Sequence, residues 1–193
     1  MAEITVKRLK EFTKSNTTYD EWLYDEAIPA GQSYLRGATA RDWTEVTAAT
    51  SASARSFRPE QGCEVLGIDD AASITSVVEN GVTLTEGTDY VAGPANNLVD
   101  GEWRPTTHLI RYGQAWYSDG PKLTVVVTAK WGWSTMPPEW TMAQYVAAKA
   151  YLEARDVSFG LIALEGGGAT GQRDVKAVRD FINKYRKLAA WGA

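Results

Sequence analysis

One cysteine and one histidine in 193 residues exclude several chemistries at once. Cys63 alone forms neither an intrachain disulfide nor a cysteine zinc site, and it reads as a half-buried core thiol rather than a nucleophile. His-based triads and His metal sites need several converging groups, so a lone His108 reads as a surface or internally satisfied side chain. No apolar run reaches 18 residues, so no membrane-spanning helix is expected. The opening Met-Ala-Glu-Ile-Thr-Val-Lys-Arg lacks the apolar stretch of a signal peptide, which leads us to expect a chain made and kept in a cytoplasm. Asp69-Asp70 lack the Asp-x-Asp-x-Asp-Gly pattern of a calcium loop and read as a turn ahead of a strand. Gly166 to Arg173 has the glycine spacing of a phosphate-binding loop. Gln172-Arg173 stand where that loop needs Lys-Ser/Thr, so the stretch reads as a hinge.

What is present is a chain long enough for one sizeable core, or for a domain carrying an insertion. Its 44% hydrophobic content argues against disorder throughout. Eight Trp and nine Tyr are many for this length, and such residues fill cores or make interfaces. The net charge of −4 hides an asymmetry. Residues 1 to 15 carry four basic and two acidic groups, and residues 173 to 187 carry six and two, which leaves the body between them at −10. Basic ends on an acidic body suggest terminal segments that meet an acidic partner; the plainer reading is the ordinary bias of short surface helices.

Along the chain, residues 3 to 14 read as a short helix. Thr17 or Thr18 can cap a second helix that starts at Tyr19-Asp20-Glu21, with Trp22, Leu23, Ala27 and Ile28 as its apolar stripe. Pro29 and Gly31 predict a kink, or two short helices, before about Ala38. From residue 43 the period changes. Val46 to Phe57 is a weak strand and Cys63 to Ile68 a better one. Ile74 to Val78, Asn80-Gly81 and Val82 to Leu84 form the clearest hairpin, because Asn-Gly suits a type I′ turn. Residues 93 to 106 are a Pro/Asn/Gly-rich loop between strand pieces at Asp89 to Val91 and His108 to Tyr112, and Leu123 to Ala129 is a β-branched strand. Ser134 or Thr135 then caps a helix with Pro137 and Pro138 in its first turn, and Ala143, Val146, Ala147, Ala150 and Ala154 recur at helical spacing. The expected fold is α+β: a small helical bundle with an inserted antiparallel β-sheet region. Its parts are N-terminal helices over 1–42, the β region over 43–133, an Ala-rich helix over 134–160, a Gly-rich linker over 161–172 and a basic helix and tail over 173–193. Gly166, Gly167, Gly168 and Gly171 make the linker a hinge.

The order Trp131-Gly132-Trp133, Met136-Pro137-Pro138, Arg155-Asp156-Val157-Ser158-Phe159-Gly160 and a short basic helix from Asp174 to Tyr185 resembles the head–tail adaptor (connector) proteins of tailed bacteriophages. The resemblance runs upstream through Asp69-Asp70, Asn80-Gly81 and Asp89-Tyr90 to Pro94-Ala95-Asn96, and so covers about residues 60 to 190. It implies a structural virion protein with no enzymatic activity and no cofactor or metal. Such a protein forms a dodecameric homo-oligomeric ring beneath the portal protein, extends the channel through which double-stranded DNA passes without sequence preference, and presents a surface to the next head-completion or tail protein. The implied location is the head–tail interface of the virion, reached by assembly in the host cytoplasm and without a membrane. The expected portal contact is the C-terminal segment: Arg173, Lys176, Arg179, Lys184, Arg186 and Lys187, with Trp191 as an aromatic anchor. Truncation at Gly171 is then expected to leave a folded protein that no longer binds portal.

Two other readings stand beside this one. A neighbouring connector component, such as a stopper or tail-completion protein, fits the same features. Alternatively, Trp103, Trp116, Tyr117, Trp131 and Trp133 form a platform on which a β-sheet module binds carbohydrate or peptide. Arg104, Arg111 and Lys130 are sparse for nucleic-acid stacking. The residue pattern favours a structural role for Trp131 and Trp133, set on one face of the sheet edge around Gly132, and an interface role for loop-borne Trp103 and Trp116.

Overall fold

Amphipathic helices and alternating strands segregate into two compact units, Met1–Ala40 with Pro137–Arg186, and Arg41–Met136 with Lys187–Ala193. The computed structural model describes residues 4–13, 21–46, 51–94, 98–99, 102–156 and 169–187. The helical unit holds α1 (Val6–Thr13), α2 (Glu21–Thr39), α3 (Glu139–Asp156) and α4 (Ala169–Tyr185). The sheet unit holds β1 (Ser53–Phe57), β2 (Val65–Glu79), β3 (Val82–Leu84), β4 (Tyr90–Gly93), β5 (Leu98–Val99), β6 (Glu102–Trp103), β7 (Thr106–Arg111) and β8 (Val125–Trp131). The fold is α+β, as the order of sequence periods predicts.

In the helical unit, Leu23, Tyr24, Ala27, Gly31, Leu35 and Thr39 recur three or four residues apart and are buried along one side of α2. Their partners include Leu9 of α1 and Tyr145, Ala148 and Leu152 of α3. Phe12 stacks on Tyr145 with ring centroids 5.3 Å apart. The expected break at Pro29 does not occur, and α2 runs unbroken through it. Pro29 and Asp25 both lie on the exposed side. The carbonyl that loses its N–H partner there belongs to exposed Asp25, and burial of the opposite face outweighs the lost bond.

In the sheet unit the strands are antiparallel in the order β1-β8-β2-β7-β4, with β3 on β2. Asn80 (φ 46°) and Gly81 (φ 83°) turn β2 into β3, both in the left-handed region that an Asn-Gly type I′ turn uses. The two separate strands expected over 63–68 and 74–78 are one strand, β2. Asp69-Asp70 lie inside it and not in a turn. The ladder to β7 pairs Gly67 with His108 and Ala71 with Thr106, so a bulge lies between them. The bulge lets Asp70 turn inward and meet Arg41. The expected 93–106 loop contains a small two-stranded element, β5 with β6. Leu66, Ile68, Val77, Tyr90, Leu109, Trp116, Val125 and Val127 form the core of this unit.

Candidate assembly interface

The basic C-terminal helix divides into three roles. Val178, Phe181 and Tyr185 of α4 are buried. Phe181 lies 5.9 Å from Trp140 and 4.8 Å from Tyr185, centroid to centroid. The Tyr185 hydroxyl donates to Glu139 Oε2 at 3.1 Å, and Lys184 Nζ donates to Glu139 Oε1 at 2.8 Å. Burial raises the Glu139 pKa, but the Lys184 ammonium, a backbone N–H and the Tyr185 hydroxyl outweigh it and hold the carboxyl below its ordinary range. Lys184 is therefore a structural clamp between α3 and α4. Lys187 belongs to the sheet unit and is only partly exposed. Its ammonium donates to the Ile68 carbonyl at 2.5 Å. Burial pushes its pKa down, Asp70 and Asp69 pull it up, and Arg41 pushes it down again.

Lys176, Arg179 and Arg186 remain, and all three are exposed. Lys176, Arg179 and Asn183 share one outer face of α4 by their three- and four-residue spacing, and Arg186, one residue past the end of α4, continues it. The Arg173 side chain and Trp191 lie outside the described residues, as do Gly166, Gly167 and Gly168. Gly171 is part of α4, which starts at Ala169, so the hinge expected at this position is replaced by helix. The packing argues against a folded protein after truncation at Gly171. Such a cut removes Phe181 and Tyr185 from the helical core and leaves Glu139 without both partners.

Trp131, Gly132 and Trp133 do not continue one strand. β8 ends at Trp131, and Gly132 adopts φ 106°. A side chain at Gly132 would also meet the Thr44 carbonyl oxygen at 2.5 Å. The Gly132 N–H donates to the Asp70 carbonyl at 2.7 Å, and the Trp133 N–H to the Thr44 carbonyl at 2.8 Å. The Trp133 carbonyl accepts the Val46 N–H at 2.8 Å. The turn sends the two indoles to different neighbours. Trp133 is fully buried and stacks on Trp43, 4.8 Å between centroids. Trp131 is half-buried, donates from Nε1 to the Ser53 carbonyl at 2.9 Å and lies under the Arg55 guanidinium. Pro137 and Pro138 stand just before α3 rather than within its first turn, and the Pro137 carbonyl accepts the Trp140 N–H at 3.0 Å.

The stacking platform does not form. Trp116 is 2% exposed, and Trp103 packs edge-on against Trp133 at 6.2 Å. Of the five aromatics, Tyr117 alone is largely exposed. Trp116 is therefore a core residue rather than an interface anchor.

Two buried ion pairs escape a sequence reading, because their partners are far apart in the chain. Arg41 Nη1 lies 2.6 Å from Asp70 Oδ1, and Arg111 Nη2 lies 3.1 Å from Glu79 Oε2. Glu79 Oε1 also accepts the Tyr117 N–H at 2.7 Å. A charged residue at an inward-facing strand position was the available signal. His108, in β7, sits opposite Gly93 of β4, and its ring occupies the space that a side chain at Gly93 would need. Burial, and then the Lys187 charge, lower its pKa and favour neutral imidazole. Among the described residues no group of three or more His, Cys, Asp and Glu is arranged to hold a metal ion, and no helix is long and apolar enough to cross a membrane.

No protein-family model and no curated protein matches the chain. Solved structures do. The chain superposes on one from the neck of an empty gene transfer agent (GTA) particle with C6 symmetry, at TM-score 0.54 and 16% identity, covering 98% of this chain and 92% of that one. A chain from the neck of a native GTA particle with C12 symmetry gives TM-score 0.49 at 16% identity, covering 100% of this chain and 96% of that one. A chain from the native GTA virion gives 0.47 at 18%, covering 98% and 92%. At such identity the common property is the fold: over nearly its whole length this chain has the α+β fold of a chain in the neck of a GTA particle.

Proposed function

We propose that the chain is a head–tail connector subunit of a tailed phage or phage-like particle. Within that class we assign it to the adaptor, a ring beneath the portal that extends the DNA channel and receives the next neck or tail component. The observation that carries this reading is the likeness to a GTA neck chain across almost the full length of both chains. The exposed stripe Lys176, Arg179 and Arg186 supplies a charged surface for portal, while Lys184 and Lys187 brace the fold. A ring multiplies the net charge of −4. A channel of that sign lets DNA pass, because tight phosphate contacts need excess Lys and Arg. The carbohydrate-binding alternative loses support because Trp116 and Trp133 are buried.

The test is to mix the purified chain with its portal and image the mixture by negative stain. The adaptor reading expects one added ring beneath the portal. A chain that binds the far side of a preformed neck, and not portal, is a stopper or tail-completion protein. A chain that binds neither overturns the connector reading.

A further inference from the structure

The bulge in β2 takes Ile68, Asp69 and Asp70 out of the ladder to β7, which pairs Gly67 with His108 and resumes at Ala71 with Thr106. A backbone group that leaves a ladder inside a protein needs another partner. The Ile68 carbonyl finds one in Lys187, whose ammonium donates to it at 2.5 Å. The end of the chain is thereby joined to the sheet, and Lys187–Ala193 belong to the sheet unit rather than to the unit of α4.

This ammonium is held without a counter-ion. Lys187 is partly buried and makes no ion pair among the described residues. The carboxylates that follow Ile68 are engaged elsewhere, Asp70 Oδ1 with Arg41 Nη1 at 2.6 Å and Asp69 Oδ2 with Arg55 Nη1 at 2.7 Å. Burial outweighs the attraction of Asp70 and Asp69, and Arg41 adds repulsion, so the Lys187 pKa lies below the ordinary lysine value. A partly buried cation resting on one neutral carbonyl is docked at little net gain.

One titratable group acts on this dock from the next strand. His108 of β7 stands opposite Gly67, which precedes Ile68. Its Nδ1 is 3.1 Å from Thr107 Oγ1, and its Nε2 fills the space over Gly93 of β4. The ring has no carboxylate partner among the described residues. Burial and the Lys187 charge favour its neutral form. Lys187 thus feels Asp69 and Asp70 from β2, Arg41 from the chain before β1, and His108 from β7.

We propose that Lys187 and His108 form an acid-opened latch, in which Lys187 fastens the chain end to the β2 bulge while His108 is neutral and lets go when His108 takes up a proton. The imidazolium adds a second uncompensated cation beside the first, and the attachment that yields is the single bond from Lys187. The docked state holds the His108 proton less readily than the open one. Docking is therefore at full strength above the ordinary histidine value of about 6.5 and is lost as pH falls from there through the lowered one. The latch goes beyond the connector reading and does not depend on it.

Nuclear magnetic resonance of the full chain tests it, because one histidine gives one imidazole signal. The Lys187 Cε and Nζ signal is the lysine signal missing from the Lys187→Met variant. At pH about 8 it is expected to stand apart from the exposed lysines, and to merge with them as His108 titrates on the way to pH about 5. In His108→Gln it is expected to keep its docked position over the same range. Lys187→Met is expected in return to raise the His108 midpoint by about half a pH unit or more, since the coupling is reciprocal. Four results each overturn the latch: a Lys187 signal that coincides with exposed lysines at pH about 8, one that stays docked while His108 titrates, a His108→Gln chain that opens with the wild-type profile, or an unchanged His108 midpoint in Lys187→Met. If Lys187→Met does not fold, sequential assignment of the wild-type chain identifies the signal, and the wild-type and His108→Gln titrations decide.

Discussion

Gly31 of α2 faces the α3 backbone so closely that a methyl group on it would stand 2.7 Å from the nitrogen of Ala148. Backbone cannot move aside as a flexible side chain does. Gly31→Ala is expected to destabilise the protein by about 1–3 kcal/mol, the usual range for overpacking. Gly37, in the same helix, has nothing within 4 Å of the equivalent methyl, so Gly37→Ala is expected to stabilise by about 1 kcal/mol. Urea denaturation of the two variants checks both signs. Equal effects would mean that the helices do not approach this closely.

Glu79 holds Arg111 through Nε and Nη2 and the exposed loop through the Tyr117 N–H. Glu79→Ala removes two hydrogen bonds from the buried Arg111 guanidinium, which keeps the Asp89 carbonyl at 2.7 Å and the Asp89 carboxylate at 3.7 Å, and is expected to cost about 1–3 kcal/mol. Trp116 then reports a loosened loop by a red-shifted emission. Replacing both partners, Glu79→Met with Arg111→Leu, is expected to recover much of the stability, because no under-paired guanidinium is then left buried.

The two tryptophans around Gly132 separate by burial. Trp133→Ala empties a fully buried site and is expected to cost about 3–5 kcal/mol. Trp131→Ala is expected to cost less, because that indole is half-buried and loses one hydrogen bond and one guanidinium contact. Thermal melts that reverse this order would contradict the packing described.

The Glu139 clamp predicts an acid dependence. Its folded pKa lies below the ordinary value, so the stability it supplies is present above the unfolded pKa of about 4.3 and fades as pH falls through the folded pKa. The Glu139 side chain is 43% exposed, so solvent screening keeps this contribution small. Glu139→Gln is expected to flatten stability between pH about 5 and pH about 3. A variant whose acid profile matches wild type would remove the clamp from the account.

The order of helices and strands, the Asn80-Gly81 turn and the amphipathic face of α4 were legible in the sequence. Each depends on neighbours within a few residues: a φ preference, a two-residue alternation, a helical repeat. Tertiary structure alone decided the rest. Pro29 is tolerated because the face opposite it packs through Gly31 onto α3. Asp70 lies in a strand rather than a turn because Arg41, 29 residues away, meets it at the bulge. Trp116 is core because the loop that carries it is tied to Glu79. The six positive charges from Arg173 to Lys187 look alike in the sequence, yet Lys184 is committed to Glu139 and Lys187 to Ile68. Composition fixes how much charge and aromatic surface a chain carries. Which of it reaches solvent depends on partners 29 to 119 residues away, and only the folded chain brings those together.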